Sequence, residues 1–133
     1  MGFQRVWFDM EKKIRVIVAD DHALMRQGIT SLLRGQPDIE IVGEATDGAQ
    51  AVAMARRLYP DVILMDINMP IMTGIDATKI ICSEQQDTCV IGFSMWDDEN
   101  FKSSMLDAGA VLFLTKDVTR EELIAAIRER RIS

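Results

Sequence analysis

The chain is poor in cysteine and histidine and has no long apolar run. It contains two cysteines and one histidine in 133 residues. Two thiols are too few for a disulfide scaffold or a four-ligand structural zinc site. We expect Cys82 and Cys89 to be small buried residues in a protein of the reducing cytoplasm. No apolar stretch approaches the roughly 20 residues that a membrane span requires, so we expect a soluble protein with no membrane partner.

Positive charge is also scarce. The chain has 15 lysines and arginines against 21 aspartates and glutamates, which gives a formal net charge of -6. Such a surface works against binding a phosphate backbone, so we expect no direct nucleic acid contact and favour a protein or metal partner. The length allows one domain that buries roughly two-thirds of the surface of its unfolded form.

The first residues do not resemble a signal peptide, because acidic residues interrupt their short apolar run. Met10 would make a natural start directly before the first predicted strand. We therefore interpret residues 1–12 as an N-terminal extension, natural or artificial, and residues 13–133 as the domain itself.

Five apolar runs rich in β-branched residues alternate with five helix-like stretches. The runs predict strands at Arg15–Ala19, Ile39–Ala45, Val62–Asp66, Cys89–Ser94 and Val111–Thr115. The helices are predicted at about 23–34, 49–58, 75–83, from the acidic loop 97–99 to 107, and 120–130. Continuous apolar strands separated by helices are typical of a parallel sheet covered on both faces. The pattern predicts a doubly wound α/β domain.

Local signals refine one of these helices and the starts of two others. The first helix has an apolar stripe that is predicted to face the core, made of Leu24, Ile29, Leu32 and Leu33. The segments 47–50 and 119–122 have the pattern of a capping box, in which a short polar residue precedes Glu or Gln by three positions. Helices are therefore predicted to begin there.

Polar residues stand where four of the strands end. Asp20 and Asp21 follow the first strand, Asp66 closes the third, Ser94 closes the fourth and Lys116 follows the fifth. Ligands of open parallel sheets bind at the carboxyl ends of the strands, so these side chains should meet. Alone, the aspartates and the serine would be turn formers and the lysine a solvated charge. Their joint placement favours a functional site.

Three gathered carboxylates raise one another's pKa, and a hard divalent cation reverses that cost. Oxygen ligands without a Cys or His cluster suit Mg²⁺, with Mn²⁺ as its substitute. His22 stands beside Asp21, but we interpret it as a surface loop residue rather than a ligand.

Together these motifs resemble the receiver domain of two-component response regulators. The matching segments lie within about 13–131 and are Val18-Ala19-Asp20-Asp21-His22, Met65-Asp66-Ile67-Asn68-Met69-Pro70 with Gly74, Ser94-Met95, Ala108-Gly109-Ala110 and Phe113-Leu114-Thr115-Lys116-Asp117. The Asp-Asp-His, Ser-Met and Lys-Asp motifs are similar to the NarL/LuxR-type branch, whose regulators carry a C-terminal helix-turn-helix. The resemblance implies a flavodoxin-like sheet of order 2-1-3-4-5.

The resemblance also implies a role for each strand-end residue. Asp66 would accept a phosphoryl group from a phosphohistidine of a sensor histidine kinase, while Lys116 neutralises charge on the phosphoryl oxygens. The implied ligands of Mg²⁺ are Asp21, Asp66 and the backbone carbonyl of Asn68, with Asp20 acting through water. Such a domain catalyses its own phosphorylation and dephosphorylation and is not a conventional enzyme.

Ser94 and Phe113 are the implied switch residues. Ser94 would move toward the phosphoryl group and Phe113 would fill the vacated space, although Phe113 taken alone is as readily a core residue. This movement would change the face formed by the fourth helix, fifth strand and fifth helix. Met95 and Trp96 flank the site, where bulky groups could shield the acyl phosphate from water.

The changed face would control an output domain, which the resemblance implies is a transcription-regulating helix-turn-helix. The resemblance also implies that a second copy of the chain is a possible partner, in a homodimer that forms on phosphorylation. Only one helix's worth of residues follows Lys116, so we expect the output domain to be absent from this chain. An excised receiver and a stand-alone receiver both fit.

Three other classes fit parts of the pattern. A haloacid dehalogenase-type phosphatase would need a second acid where Asp66-Ile67-Asn68 has none. A flavodoxin-like cofactor binder would need a Ser/Thr/Gly-rich phosphate loop after the first strand, where the two aspartates would repel phosphate. A pseudo-receiver that only docks partners would keep the fold without phosphorylation, and it would take no label from acetyl phosphate with Mg²⁺.

Overall fold

The computed structural model describes residues 12–130. The strands are β1 (Ile14–Ala19), β2 (Ile39–Ala45), β3 (Val62–Asp66), β4 (Cys89–Ser94) and β5 (Leu112–Thr115). The helices are α1 (Ala23–Arg34), α2 (Gly48–Leu58), α3 (Gly74–Glu84), α4 (Glu99–Ala108) and α5 (Arg120–Glu129). The predicted extension, residues 1–12, lies outside the described residues except for Lys12.

The five strands form one parallel sheet in the order β2-β1-β3-β4-β5. The predicted flavodoxin-like, doubly wound fold is therefore confirmed. Because all strands run in the same direction, their carboxyl ends lie along one edge. That edge carries the ends of β1, β3, β4 and β5, which are the segments with the polar residues predicted to meet.

Helices cover both faces of the sheet and create two separate cores. Buried residues of α1 and α5 pack on one face, and buried residues of α2, α3 and α4 pack on the other. Side chains of β3 alternate between them: Val62 and Leu64 face α1 and α5, whereas Ile63 and Met65 face the other side. Burying each such side chain stabilises the fold by roughly 1.5–3 kcal/mol. This explains why β3 is apolar at successive positions instead of at alternate ones.

One capping box forms in full and the other only by half. At α5 the Thr119 side chain accepts the Glu122 backbone N–H, and the Glu122 side chain accepts the Thr119 N–H. At α2 the Asp47 side chain accepts the Gln50 N–H at 2.8 Å, but the Gln50 side chain accepts the N–H of Thr46 instead of that of Asp47. The second predicted box is wrong in its glutamine half, because the turn before α2 offers a donor one residue earlier.

Leu24 does not face the core, contrary to the prediction from spacing. It is 84% exposed, whereas Leu33 is fully buried. Nine residues separate the two, which at 3.6 residues per turn places them on opposite sides of α1. Strand β5 begins at Leu112 and leaves the predicted first residue, Val111, exposed.

The cysteines and the helices bear on two further expectations. Cys82 and Cys89 are both free thiols of intermediate exposure, so the expectation that they are buried residues is wrong in degree. Within residues 12–130, none of the helices has the length and hydrophobicity that crossing a bilayer would need.

Candidate functional site

Lys116 joins the ends of two acidic strands. Its Nζ lies 2.8 Å from Oδ2 of Asp20 and 3.4 Å from Oδ1 of Asp66, and its side chain is only 4% exposed. Both aspartates are buried as well. An ammonium in this position attracts both carboxylates in a medium of low dielectric constant. The structure therefore brings together the acidic and basic residues of β1, β3 and β5.

Asp21 and His22 complete the acidic cluster. One donor atom from each of Asp20, Asp21, His22 and Asp66 lies within 4.8 Å of the others. Nδ1 of His22 is 3.3 Å from Oδ1 of Asp20 and 3.2 Å from Oδ1 of Asp21. The imidazole, interpreted from the sequence as a plain loop residue, thus lies against two of the predicted metal-ligand carboxylates.

Asp66 has one carboxylate oxygen without a partner. Its Oδ2 is buried and has no hydrogen-bond partner in the described part of the chain. Burial first, and the Asp20 carboxylate second, raise the pKa of Asp66 to about 6 despite the opposing effect of Lys116. The cluster is therefore short of positive charge, and its oxygen donors fit a hard divalent cation.

The serine at the end of β4 is buried and tied to neighbouring backbone. The Ser94 Oγ accepts the Trp96 N–H at 3.1 Å, and the Ser94 carbonyl accepts the Lys116 N–H at 2.7 Å. The tips of β4 and β5 are thereby connected beside the acidic cluster. The flanking side chains of Met95 and Trp96 are mostly exposed.

Phe113 is partly buried and packs against the core formed with α2, α3 and α4. It occupies the space over Gly92, where an added Cβ would lie 2.9 Å from Cδ1 of Phe113 and 2.9 Å from Cε of Met105. Phe113 therefore has an inward contact already, and its role as a switch stays a prediction.

The loop after β3 is pressed against the strand that carries Asp66. A Cβ added to Gly74 would lie 2.0 Å from the Asp66 carbonyl oxygen, so only glycine permits this approach. Within the loop Asn68 is exposed, and Ile71 adopts a left-handed φ of 68°. A β-branched residue in that region costs roughly 1–3 kcal/mol, which the surrounding contacts must offset.

Arg26 is a residue near the site that the sequence did not single out. Its Nη1 donates to the Asp20 carbonyl at 2.7 Å, and its Nε donates to the Glu44 carboxylate at 3.2 Å. It therefore fastens the acidic end of β1 to both α1 and β2. No spacing rule reveals this contact, because it depends on how α1 packs over the sheet.

An apolar groove of about 540 Å³ opens beside the cluster, between α1 and the start of α5. His22, Met95 and Lys116 line the end of the groove that adjoins the cluster. Apolar residues form most of the remainder, including Leu24, Met25, Ile29, Val118 and Leu123. The exposed Leu24 thus belongs to a surface feature next to the site.

Comparison with known proteins places this geometry in a family. Residues 16–128 match the response regulator receiver domain. The transcriptional regulatory protein LiaR of Bacillus subtilis (strain 168) is 44% identical over 115 residues, which cover 86% of this chain and 54% of LiaR. The response regulator GacA of Pseudomonas aeruginosa is 38% identical over 116 residues, which cover 87% of this chain and 54% of GacA.

The solved structures agree with the curated relatives. The signal receiver domain of NarL from Mycobacterium tuberculosis superposes with a TM-score of 0.85 at 37% identity and covers 89% of this chain and 95% of that chain. The chain spans about half the length of the curated relatives it matches. These similarities confirm the predicted NarL/LuxR-type branch. By its matching residues, its sheet and its relatives, the chain belongs to the family of response regulator receiver domains.

Proposed function

We propose that this chain is a phosphorylation-dependent signalling switch in which Asp66 accepts a phosphoryl group from a sensor histidine kinase. The observation that carries the proposal is the pairing of a buried, unpartnered Asp66 Oδ2 with a lysine ammonium 3.4 Å from the other oxygen of the same carboxylate. A structural aspartate at a strand end would be expected to bond to the following turn.

The chain's own residues supply positioning and charge. An oxygen of Asp66 attacks phosphorus, and the bond from phosphorus to the imidazole nitrogen of the donor breaks. With a pKa of about 6, Asp66 is largely ionised at neutral pH and needs no general base. Lys116 stands where it can neutralise a phosphoryl oxygen. Placement and electrostatics account for most of the catalysis of such transfers.

A divalent metal is part of the proposal. Asp21, Asp66 and the Asn68 carbonyl would hold Mg²⁺ directly, with Asp20 acting through water, and Mn²⁺ would substitute. When bound, the ion neutralises the clustered carboxylates and the incoming phosphoryl charge. The fit is supported by the four adjacent donors and by the unpartnered Asp66 oxygen.

Phosphorylation is proposed to act through the connected tips of β4 and β5. A phosphoryl group on Asp66 adds acceptor oxygens, and the Ser94 hydroxyl would leave its bond to Trp96 to donate to one of them. Phe113 would then pack further inward over Gly92. The α4-β5-α5 face would change shape, which biases an existing equilibrium between two forms.

The phosphoryl donor is proposed to dock in the apolar groove beside the cluster. The groove shares His22, Met95 and Lys116 with the surroundings of Asp66, so a helix lying in it would present a phosphohistidine to the acceptor. For the output we propose a transcription-regulating domain in the full-length protein, as in the relatives named as transcriptional regulators. Homodimerisation through the changed face is the proposed second response.

Intact-mass measurement tests the central step. The protein is incubated with acetyl phosphate, with and without Mg²⁺, alongside Asp66→Asn as the matched isosteric variant. We expect one added phosphoryl mass only in the wild type and only with Mg²⁺. Equal mass gain in Asp66→Asn would place the reaction elsewhere, and no gain in either protein would favour a receiver that only docks partners.

A further inference from the structure

We propose that His22 gives the acidic cluster a nitrogen donor, so that the cluster binds a late first-row transition ion such as Zn²⁺ or Co²⁺ through His22 in competition with Mg²⁺. The inference deepens the proposed function, since it rests on the same metal site. It assigns the choice of metal to a residue outside the oxygen ligand set.

The spacing of the donor atoms supports this assignment. Nδ1 of His22 lies 3.3 Å and 3.2 Å from carboxylate oxygens of Asp20 and Asp21. Ligands that sit about 2.1 Å from one ion are separated by about 3.0 Å at a right angle and about 3.4 Å at the tetrahedral angle. The imidazole and the two carboxylates are therefore at separations compatible with one coordination sphere, and an ion would replace the present hydrogen bond between His22 Nδ1 and Asp20.

A second and independent observation points to a cation at this place. Asp66 is 5% exposed and its Oδ2 lacks any hydrogen-bond partner among residues 12–130. An anionic oxygen buried in this way is costly unless a cation meets it. A donor atom of Asp66 lies within 4.8 Å of a His22 ring nitrogen, so a small rotation of the exposed ring would let one ion contact both.

The backbone holds the imidazole at the cluster without help from a metal. The His22 N–H donates to Oδ1 of Asp20 at 2.8 Å, and the His22 carbonyl accepts the Arg26 N–H at 2.9 Å. The side chain itself is 67% exposed. The ring can therefore turn its nitrogen toward an ion without disturbing the core.

The types of ligand atom determine which ions bind most tightly. Carboxylate, carbonyl and water oxygens suit Mg²⁺ and Mn²⁺, whereas imidazole suits Zn²⁺ and other late ions, whose affinities also rise along the first row. Loss of the imidazole should therefore lower the affinity for Zn²⁺ more than the affinity for Mg²⁺. Since both ions use the same carboxylates, Zn²⁺ bound through His22 excludes Mg²⁺ from the site.

The single histidine of the chain makes the test direct. Protein without a histidine tag is labelled with ¹⁵N-histidine, and the imidazole nitrogens are followed by NMR during Zn²⁺ and Mg²⁺ titrations. Calorimetry gives both affinities for wild type, for His22→Ala, and for Gln27→Ala, an exposed position on α1, the helix that begins directly after His22. We expect Zn²⁺ to shift the imidazole signals strongly, and His22→Ala to lower the ratio of Zn²⁺ to Mg²⁺ affinity by about tenfold or more.

The inference is overturned if Zn²⁺ binds without moving the imidazole signals, if His22→Ala keeps the wild-type affinity ratio, or if Zn²⁺ does not bind. These readouts need no phosphorylation. Zn²⁺ binding through His22 in a protein that takes no mass from acetyl phosphate would uphold the inference and overturn the proposed function. A protein that gains phosphoryl mass from acetyl phosphate but binds no Zn²⁺ through His22 would uphold the proposed function and overturn the inference.

Discussion

At the scale of single residues, Asp66 combines two properties that conflict in the metal-free protein. It is buried, and it lies close to the Asp20 carboxylate, so its pKa rises to about 6 from an ordinary 3.8. A carboxylate with a raised pKa favours folding when it is protonated and opposes folding when it is ionised. Ionised Asp66 is thus held in place at some cost to the stability of the domain.

We predict a pH-dependent difference in stability between wild type and Asp66→Asn in the presence of EDTA. As pH rises from about 4 to about 7, the wild type should lose about 2–3 kcal/mol of unfolding free energy relative to Asp66→Asn, because only the wild type ionises a buried group there. Urea denaturation at a series of pH values measures this difference. A constant gap over that range would contradict the raised pKa, and saturating Mg²⁺ should reduce the gap.

Arg26 shows why some residues of a site escape sequence analysis. The strand-end aspartates, serine and lysine are marked by their position after apolar runs, and the fold does place the acidic and basic ones together. Arg26 and the imidazole of His22 act through contacts between segments, to Glu44 of β2 and to Asp20. Such contacts depend on helix packing and loop conformation, which local sequence does not encode.

At the scale of secondary-structure elements, Arg26 links α1, β2 and the end of β1. We predict that Arg26→Gln and Glu44→Gln each destabilise the domain, and that their effects are not additive. The partly buried ion pair should show a coupling energy of about 0.5–3 kcal/mol, because the two side chains contact each other directly. A double-mutant cycle from urea denaturation measures it, with Arg34→Gln as the exposed comparison that contacts the same glutamate. A coupling energy near zero would contradict the link.

Replacing a helical glycine by alanine should change the stability of the domain in opposite directions at two positions. Gly74→Ala places a methyl group 2.0 Å from the Asp66 carbonyl oxygen, whereas Gly28→Ala meets nothing within 4 Å. We predict that Gly74→Ala costs more than about 2 kcal/mol, while Gly28→Ala stabilises the domain by about 0.5–1 kcal/mol. Thermal and urea denaturation test both. A tolerated Gly74→Ala would mean that the loop after β3 shifts easily.

Most element boundaries follow from the sequence because both faces of the sheet are covered. Coverage on both faces makes β3 and β4 almost continuously apolar, and the predicted bounds 39–45, 62–66 and 89–94 match the observed strands. The wrong predictions concern apolar residues that are exposed to solvent. Leu24 has an apolar side chain on the open side of α1, and Val111 lies before the first paired residue of β5. Hydrophobicity alone does not distinguish a core residue from a residue of an exposed groove.

At the scale of the whole molecule, the groove and the α4-β5-α5 face share α5, because Arg120 and Leu123 of that helix line the groove. A donor protein in the groove would therefore contact one edge of that face. We predict that Leu24→Asp slows phosphotransfer from the cognate kinase by about tenfold or more, because it buries a charge in an apolar contact. The rate with acetyl phosphate should stay near that of the wild type, since Leu24 is 84% exposed and outside the acidic cluster.

Radiolabel transfer from the purified, phosphorylated kinase and intact mass after acetyl phosphate give the two rates. Gln27→Ala serves again as a change on α1 that leaves the apolar groove intact. If Leu24→Asp slows both reactions equally, the effect comes from the fold and not from docking. If it slows neither, the donor approaches from another side.

The hydrogen bond from the Lys116 N–H to the Ser94 carbonyl, at 2.7 Å, has a mechanical consequence. It couples the ends of β4 and β5, one of which carries the Ser94 hydroxyl and the other the Lys116 ammonium. A shift of either side chain should therefore move both strand ends together. Removing one of the two side chains should reduce the size of that movement without changing its direction.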